Sequence, residues 1–268
     1  DARKRSVAGK WFYTDPGGAF RAGLTTRYYD NHALEAGYLD AASARAAPRS
    51  SPAYAQDDRS ERTLRQTALH ADGTLGSDAQ WSAKAYRNAY HNQRWVRFSE
   101  AGLQQERDTD ETHQGVLLRG NWQPGWQALP TTLEAGLDAQ WQDNQSQRYR
   151  TVARVRSAQL RDWDYDLRTR GAYVQAMLKP TERLQLVPGY RIDRVDGELR
   201  DLRAGITAPS YDYGTIKQPK FSASYRFAGQ SSAYANWGRT FQIGTGDGAY
   251  RRQPGNLGPS INDGWEAG

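Results

Sequence analysis

The sequence predicts an all-β chain, an antiparallel transmembrane β-barrel segment of about ten strands. Three observations predict it. Apolar and polar residues alternate with a period of two over several runs, as in Leu133, Ala135, Leu137, Ala139 and Trp141 against Glu134, Gly136, Asp138, Gln140 and Gln142. The runs are joined alternately by short turns and by long polar connections. The chain is also rich in wet-ended aromatics, with 16 Tyr and 9 Trp against 6 Phe, which suits membrane interfaces. The mean hydropathy of −0.90 does not oppose this reading. A barrel strand crosses a bilayer with about ten tilted residues, of which only alternate ones face lipid.

Along the chain, Val7 to Tyr13 is a first strand ending in Trp11-Phe12-Tyr13, and Asp15-Pro16-Gly17-Gly18 is a turn. Phe20, Ala22, Leu24, Thr26 and Tyr28 then alternate with Arg21, Gly23, Thr25 and Arg27. Asn31 to Arg59 reads as a long loop whose Ala-rich middle suits a helical turn. Thr63 to Ala71 returns as a strand, Asp72 to Asp78 turns, and Gln80 to Phe98 runs out again. Ser99 to Thr112 reads as a polar loop, Gly115 to Trp122 as a strand and Pro124 to Pro130 as a turn. Thr132 to Gln142 is the cleanest alternation, and its Leu133–Trp141 set is expected to face lipid. Asp143 to about Asp166 reads as another long polar loop.

The stretch Arg170 to Gly197 is a hairpin. Ala172, Val174, Ala176 and Leu178 share one face of its first arm, and Leu184, Leu186, Pro188 and Tyr190 one face of its second. Lys179 to Arg183 is the turn, with Pro180 presetting its φ. Asp196 to Lys217 reads as a loop, Pro219–Phe227 and Ser232–Phe241 as a second hairpin, and Gln242 to Pro259 as a Gly-rich loop. The short turns centre near Pro16, Leu75, Trp126, Thr181 and Gly229, and Trp11, Phe20, Trp81, Trp122, Trp126 and Phe227 lie near them, where an aromatic girdle is expected.

The two hairpins resemble the barrel of the TonB-dependent outer-membrane receptors. In that family an aromatic-x-Gln, a Pro turn and an L-x-L-x-x-G-x-R-x-D run recur. Here they are matched by Tyr173, Gln175, Pro180, Leu184, Leu186, Gly189, Arg191, Asp193 and Gly197. Gly258 to Gly268 is similar to the family's next strand entry, with Ser260 where an acid is common and Trp265 in place of Tyr. The resemblance covers roughly the last hundred residues. It implies short periplasmic turns, long extracellular loops, a Gram-negative outer-membrane location and a barrel of roughly 22 strands. At one hairpin per roughly 50 residues, such a barrel outruns this chain, so residues 1–268 are expected to be a partial barrel domain without the plug and the remaining strands.

The net charge of +6 comes mostly from arginine, interleaved with acids rather than gathered in a stripe, which argues against nucleic acid and for lipopolysaccharide or an anionic ligand. Cysteine is absent, excluding disulfide frameworks and thiolate sites. His32, His70, His91 and His113 lack metal-site spacing. Asp164 and Asp166 lie in loop sequence, and the Gly244–Gly248 run reads as a flexible loop. No catalytic constellation, cofactor or resident metal is expected. The resemblance implies a receptor that takes up a ferric siderophore or similar chelate, coupled to the TonB complex through a plug. A passive porin-like channel and a soluble carbohydrate-binding β protein are the alternatives. Arginine beside aromatic rings in the long loops suits an anionic, partly aromatic ligand. The candidates are Arg94, Trp95, Arg97, Arg148, Tyr149, Arg150, Trp163, Tyr165, Tyr211, Tyr213, Tyr250, Arg251 and Arg252. Each has an ordinary alternative as an interface anchor or loop-packing residue.

Overall fold

The computed structural model describes residues 2–210, 212–227, 231–243 and 258–268. They form one antiparallel sheet. The wall strands follow chain order: β1 (Ala2–Thr14), β2 (Phe20–Leu34), β3 (Arg59–Leu75), β4 (Ala79–Val96), β5 (Gln105–Trp122), β6 (Thr131–Val152), β7 (Val155–Leu178) and β8 (Leu184–Asp201). A short β9 (Ile206–Pro209) folds back on β8 outside this path, and the wall continues with β10 (Ile216–Arg226), β11 (Ser232–Gln242) and β12 (Ser260–Ala267). β1 and β12 are the two edges.

Register carries the alternation from strand to strand. Opposite residues share a face, so Trp11, Leu24, Leu69 and Ala85 lie in one cross-strand row. Leu118, Leu137, Ala172 and Ile192 lie in another on the same face. These side chains are not covered by the protein; Leu137 is 58% exposed. A continuous exposed apolar face, with few side chains buried among the described residues, needs an apolar medium against it.

The other face is polar and tied together across strands. Arg191 donates to both oxygens of Asp138 at 2.7 and 3.0 Å and reaches Asp193 at 2.6 Å. The Arg191 head lies on the backbone of Gly171, where a Cβ would come within 2.1 Å of Nη2. Tyr173 likewise lies flat over Gly136 and donates to Glu134 at 2.8 Å. Glycine at these two positions lets a large side chain lie along the wall.

The short-turn end follows the predicted turns. Asp15 accepts from Gly17 and Phe20 amides at 2.9 and 2.8 Å. The girdle residues meet in pairs there: Phe20 with Trp81 at 6.2 Å and Trp122 with Trp126 at 6.5 Å. Gly229 lies outside the described residues, but Phe227 N donates to Ser231 O and closes that hairpin.

The long-loop end departs from the sequence reading. Asp143–Asp166 is not a loop: β6 and β7 continue through it, with Asp164 and Asp166 in β7, and turn at Ala153 and Arg154. Both turn residues have positive φ, 45° and 69°, the backbone of a primed hairpin turn without its usual Asn-Gly. Residues 105–112, read as loop, begin β5, and Asp196–Asp201 with Ile206–Pro209 form a ribbon of β8 and β9. The strands hold here because their ladder hydrogen bonds need no apolar face. The loop after β2 is real, and its Ala-rich middle forms α1 (Ala41–Ala46), capped by Asp40, which accepts from the Ala42 and Ser43 amides at 2.9 Å.

One buried knot ties this end. Asp58 accepts from the Arg97 amide at 2.8 Å and from Gln104 Nε2 at 3.0 Å. Gln104 Oε1 in turn accepts from Thr151 Oγ1 at 3.1 Å and the Arg154 amide at 2.9 Å. The loop after β2, the β4–β5 connection and the tip of the β6–β7 hairpin are thereby held as one unit.

Candidate functional site

Above the apolar band, on the polar face, four arginines stand side by side on four neighbouring strands. Arg94 of β4 lies opposite Arg107 of β5, Arg107 opposite Arg148 of β6, and Arg148 opposite Arg161 of β7. Like charges directly opposite one another repel. The protein tolerates the row by bracing it. Arg94 donates to Glu35 Oε2 at 2.5 Å, Arg107 stacks 4.8 Å from the Phe98 ring, and Arg161 stacks 3.7 Å from the Trp163 ring. Burial, followed by the positive charges of Arg94 and Arg161, pushes the Arg107 guanidinium below its ordinary value, and its buried Nε has no hydrogen-bond partner among the described residues. An anion placed against the row relieves the repulsion.

Next to the row stands an aromatic and apolar wall. Arg161, Trp163, Tyr165 and Leu167 are successive same-face residues of β7. Leu167, Val195, Leu199 and Ile216 form a small buried cluster against which Trp163, Tyr165 and Tyr213 pack. Trp163 Nε1 donates to Asp201 Oδ2 at 2.9 Å, fixing the indole. The face thus offers cationic forks beside flat rings, chemistry suited to a planar or chelated anion.

The predicted residues divide. Arg94, Arg148, Arg150, Trp163 and Tyr165 share this face. Trp95 and Tyr149 are on the opposite face. There Arg156 lies 3.9 Å from the Tyr149 ring and pairs with Glu106 at 2.6 Å. Arg97 is loop scaffolding: its Nε donates to Gly102 O at 2.7 Å and its Nη2 to Glu100 O. Tyr213 belongs to the apolar cluster, and Tyr211, Tyr250, Arg251, Arg252 and the Gly244–Gly248 run lie outside the described residues. Sequence reasoning missed Arg107 and Arg161. Both fell in stretches taken as loops, and only their spacing to Arg94 and Arg148 along paired strands reveals the row.

Among the described residues, one group brings three potential metal ligands within 4.8 Å of one another: His91, Asp108 and Asp110, on the face opposite the arginine row. His91 Nδ1 lies 2.9 Å from Asp110 and 3.8 Å from Asp108, an ordinary contact of a histidine between carboxylates on adjacent strands.

Three solved structures share this fold. The ferric citrate transporter FecA in its unliganded form superposes with a TM-score of 0.86 at 16% identity, over 99% of this chain and 40% of that one. The ferric-catecholate import receptor Fiu from E. coli K12 gives 0.75 at 12%, over 99% and 48%. The siderophore receptor PiuA from Acinetobacter baumannii gives 0.74 at 13%, over 99% and 47%. The chain therefore spans less than half the length of each. No curated protein matches it in sequence. The description "TonB dependent receptor-like, beta-barrel" matches residues 2–268. The exposed apolar face, the short turns and the ordered sheet are thus those of a barrel wall, and the chain belongs to the TonB-dependent receptor family, within its β-barrel domain.

Proposed function

We propose that this barrel wall is part of an outer-membrane receptor of a Gram-negative cell that captures a ferric siderophore or similar anionic chelate and takes it up with energy from the TonB complex. The observation that carries the ligand class is the Arg94–Arg107–Arg148–Arg161 row beside Trp163 and Tyr165. The similar structures include a ferric citrate transporter and a ferric-catecholate receptor, which agrees with an anionic iron chelate. Coupling to TonB runs through a plug, and a plug inside the barrel lies on the same polar face as the row.

The test uses the full-length protein in detergent, titrated with ferric citrate and with a ferric tris-catecholate while tryptophan fluorescence is followed. One of them binds, and Arg107→Ala weakens it by about tenfold or more, the loss expected for a charge-assisted hydrogen bond. Unchanged affinity in that variant overturns the site. Steady ion conductance through the protein in a planar bilayer, without an energised partner, overturns active uptake in favour of a passive channel.

A further inference from the structure

On the face opposite the arginine row, at the long-loop end, β4 and β5 bring a histidine and two carboxylates together. His91 and Asp110 are direct register partners, 19 residues apart in sequence. Asp108 is the next residue of β5 on that face. Each contact taken by itself is ordinary: His91 Nδ1 is hydrogen-bonded to Asp110 Oδ1 at 2.9 Å and lies 3.8 Å from Asp108 Oδ1. Their convergence is not ordinary. One ring nitrogen faces two carboxylate oxygens, and all three atoms lie within 4.8 Å of one another. The ligands of a tetrahedral zinc ion, with bonds of about 2.0–2.1 Å, stand about 3.4 Å apart. The two distances from His91, 2.9 and 3.8 Å, bracket that spacing.

Asp108 is also one partner short. Its Oδ2 accepts from Arg156 Nη2 at 3.1 Å, and Arg156 is itself fixed by both oxygens of Glu106 at 2.9 and 2.6 Å. Its Oδ1, the oxygen toward His91, is buried and has no hydrogen-bond partner among the described residues. A buried carboxylate oxygen without a donor is costly. Arg156 thus orients the carboxylate in the manner of an outer-shell partner and leaves one oxygen for something else.

His32, on the same face, gives the contrast. It too lies between two carboxylates, Asp30 at 3.2 Å and Glu61 at 3.6 Å. They face different ring nitrogens, Nε2 and Nδ1, so no one ion gathers all three groups.

We propose that His91, Asp108 and Asp110 bind a borderline divalent cation of the zinc type, with at least one coordination position left open. Imidazole beside carboxylates suits such an ion, whereas calcium and magnesium ask for six or more ligands, all of them oxygen. The ion takes the place of the proton shared by His91 and Asp110, supplies the partner that Asp108 Oδ1 lacks, and cross-links β4 to β5. The site is independent of the uptake reading, because the arginine row lies on the other face.

The test strips the full-length protein in detergent with a chelator, dialyses the chelator away and titrates zinc chloride by calorimetry, with calcium chloride in parallel. His91→Ala and Asp110→Asn each weaken one zinc-binding event by about tenfold or more, at least the loss that follows removal of an outer-shell partner. His32→Ala leaves the isotherm unchanged, and calcium does not compete. The two substituted side chains are 41% and 62% exposed, so both variants keep the heat-modifiable electrophoretic mobility of a folded barrel. Zinc also raises amide-exchange protection at residues 89–93 and 108–112, and in His91→Ala it does not. Absence of zinc binding, an isotherm unaltered in His91→Ala, or displacement of the zinc by equimolar calcium overturns the proposal.

Discussion

β6 shows two regimes within one strand. From Leu133 to Gln142 apolar and polar side chains alternate; from Asp143 to Thr151 both faces are polar, yet the ladder to β7 runs on through Gln147 opposite Asp162. The same change occurs in β5, where Val116, Leu118 and Trp122 give way to Glu106, Asp108 and Asp110 on the same face. Alternation in sequence is therefore the imprint of a dry medium on one side of a strand, and it fades where water reaches both sides although the strand continues. The membrane half is held by its medium, and the long-loop half by hydrogen-bond knots and braced ions.

That contrast breaks most readily at one residue. Arginine at Leu137 costs roughly 2–4 kcal/mol in urea unfolding of the full-length barrel in bilayers, whereas arginine at Gln145, on the same face of the same strand, stays within about 0.5 kcal/mol. Equal effects would dissolve the distinction between the two halves. The knot gives the next effect. Gln104→Ala leaves Asp58 and Thr151 short of partners and costs about 1–3 kcal/mol, read as faster amide exchange at residues 150–155 while β6 below Gln142 stays protected.

The smallest effect is electrostatic. Glu106 is 1% exposed; burial alone would raise its carboxyl, but hydrogen bonds from Arg156 and Gln93 hold it below its ordinary 4.5. Its contribution is complete above pH 4.5 and is lost as pH falls through the lower folded value. Asp108 beside it has the opposite sign. Burial raises its carboxyl above 3.8, so its cost at neutral pH is relieved by acid. The protection of amides 155–158 relative to their intrinsic exchange falls on acidification below pH 4.5, and Glu106→Gln flattens that step; a step unaltered by the substitution assigns the acid response elsewhere.

Much of the membrane half was legible. Asp15-Pro16-Gly17-Gly18, the Pro180 turn and the Leu133–Trp141 set lie where local turn chemistry and the period of two put them. The long-loop half was legible only where it is truly loop, as in α1 with its Asp40 cap. The Asp143–Asp166 hairpin was hidden because Asp, Gln, Ser and Arg are weak strand formers without a dry face, and its tip carries Ala153-Arg154 rather than a turn signature. The site suffered the same way. Arg94 and Arg148 were picked out by their aromatic neighbours, but Trp95 and Tyr149 point away from them, because adjacent residues of a strand never share a face.

The sequence alone determined which stretches cross an apolar medium and where the chain turns back, since both depend on residues a few positions apart. Only the tertiary structure decided which distant residues stand together. Arg94 and Arg161 meet across Arg107 and Arg148, and Arg170 meets Arg194, through register, which is set jointly by every turn length and bulge between them. A slip of one residue would turn each of these arginines to the other face.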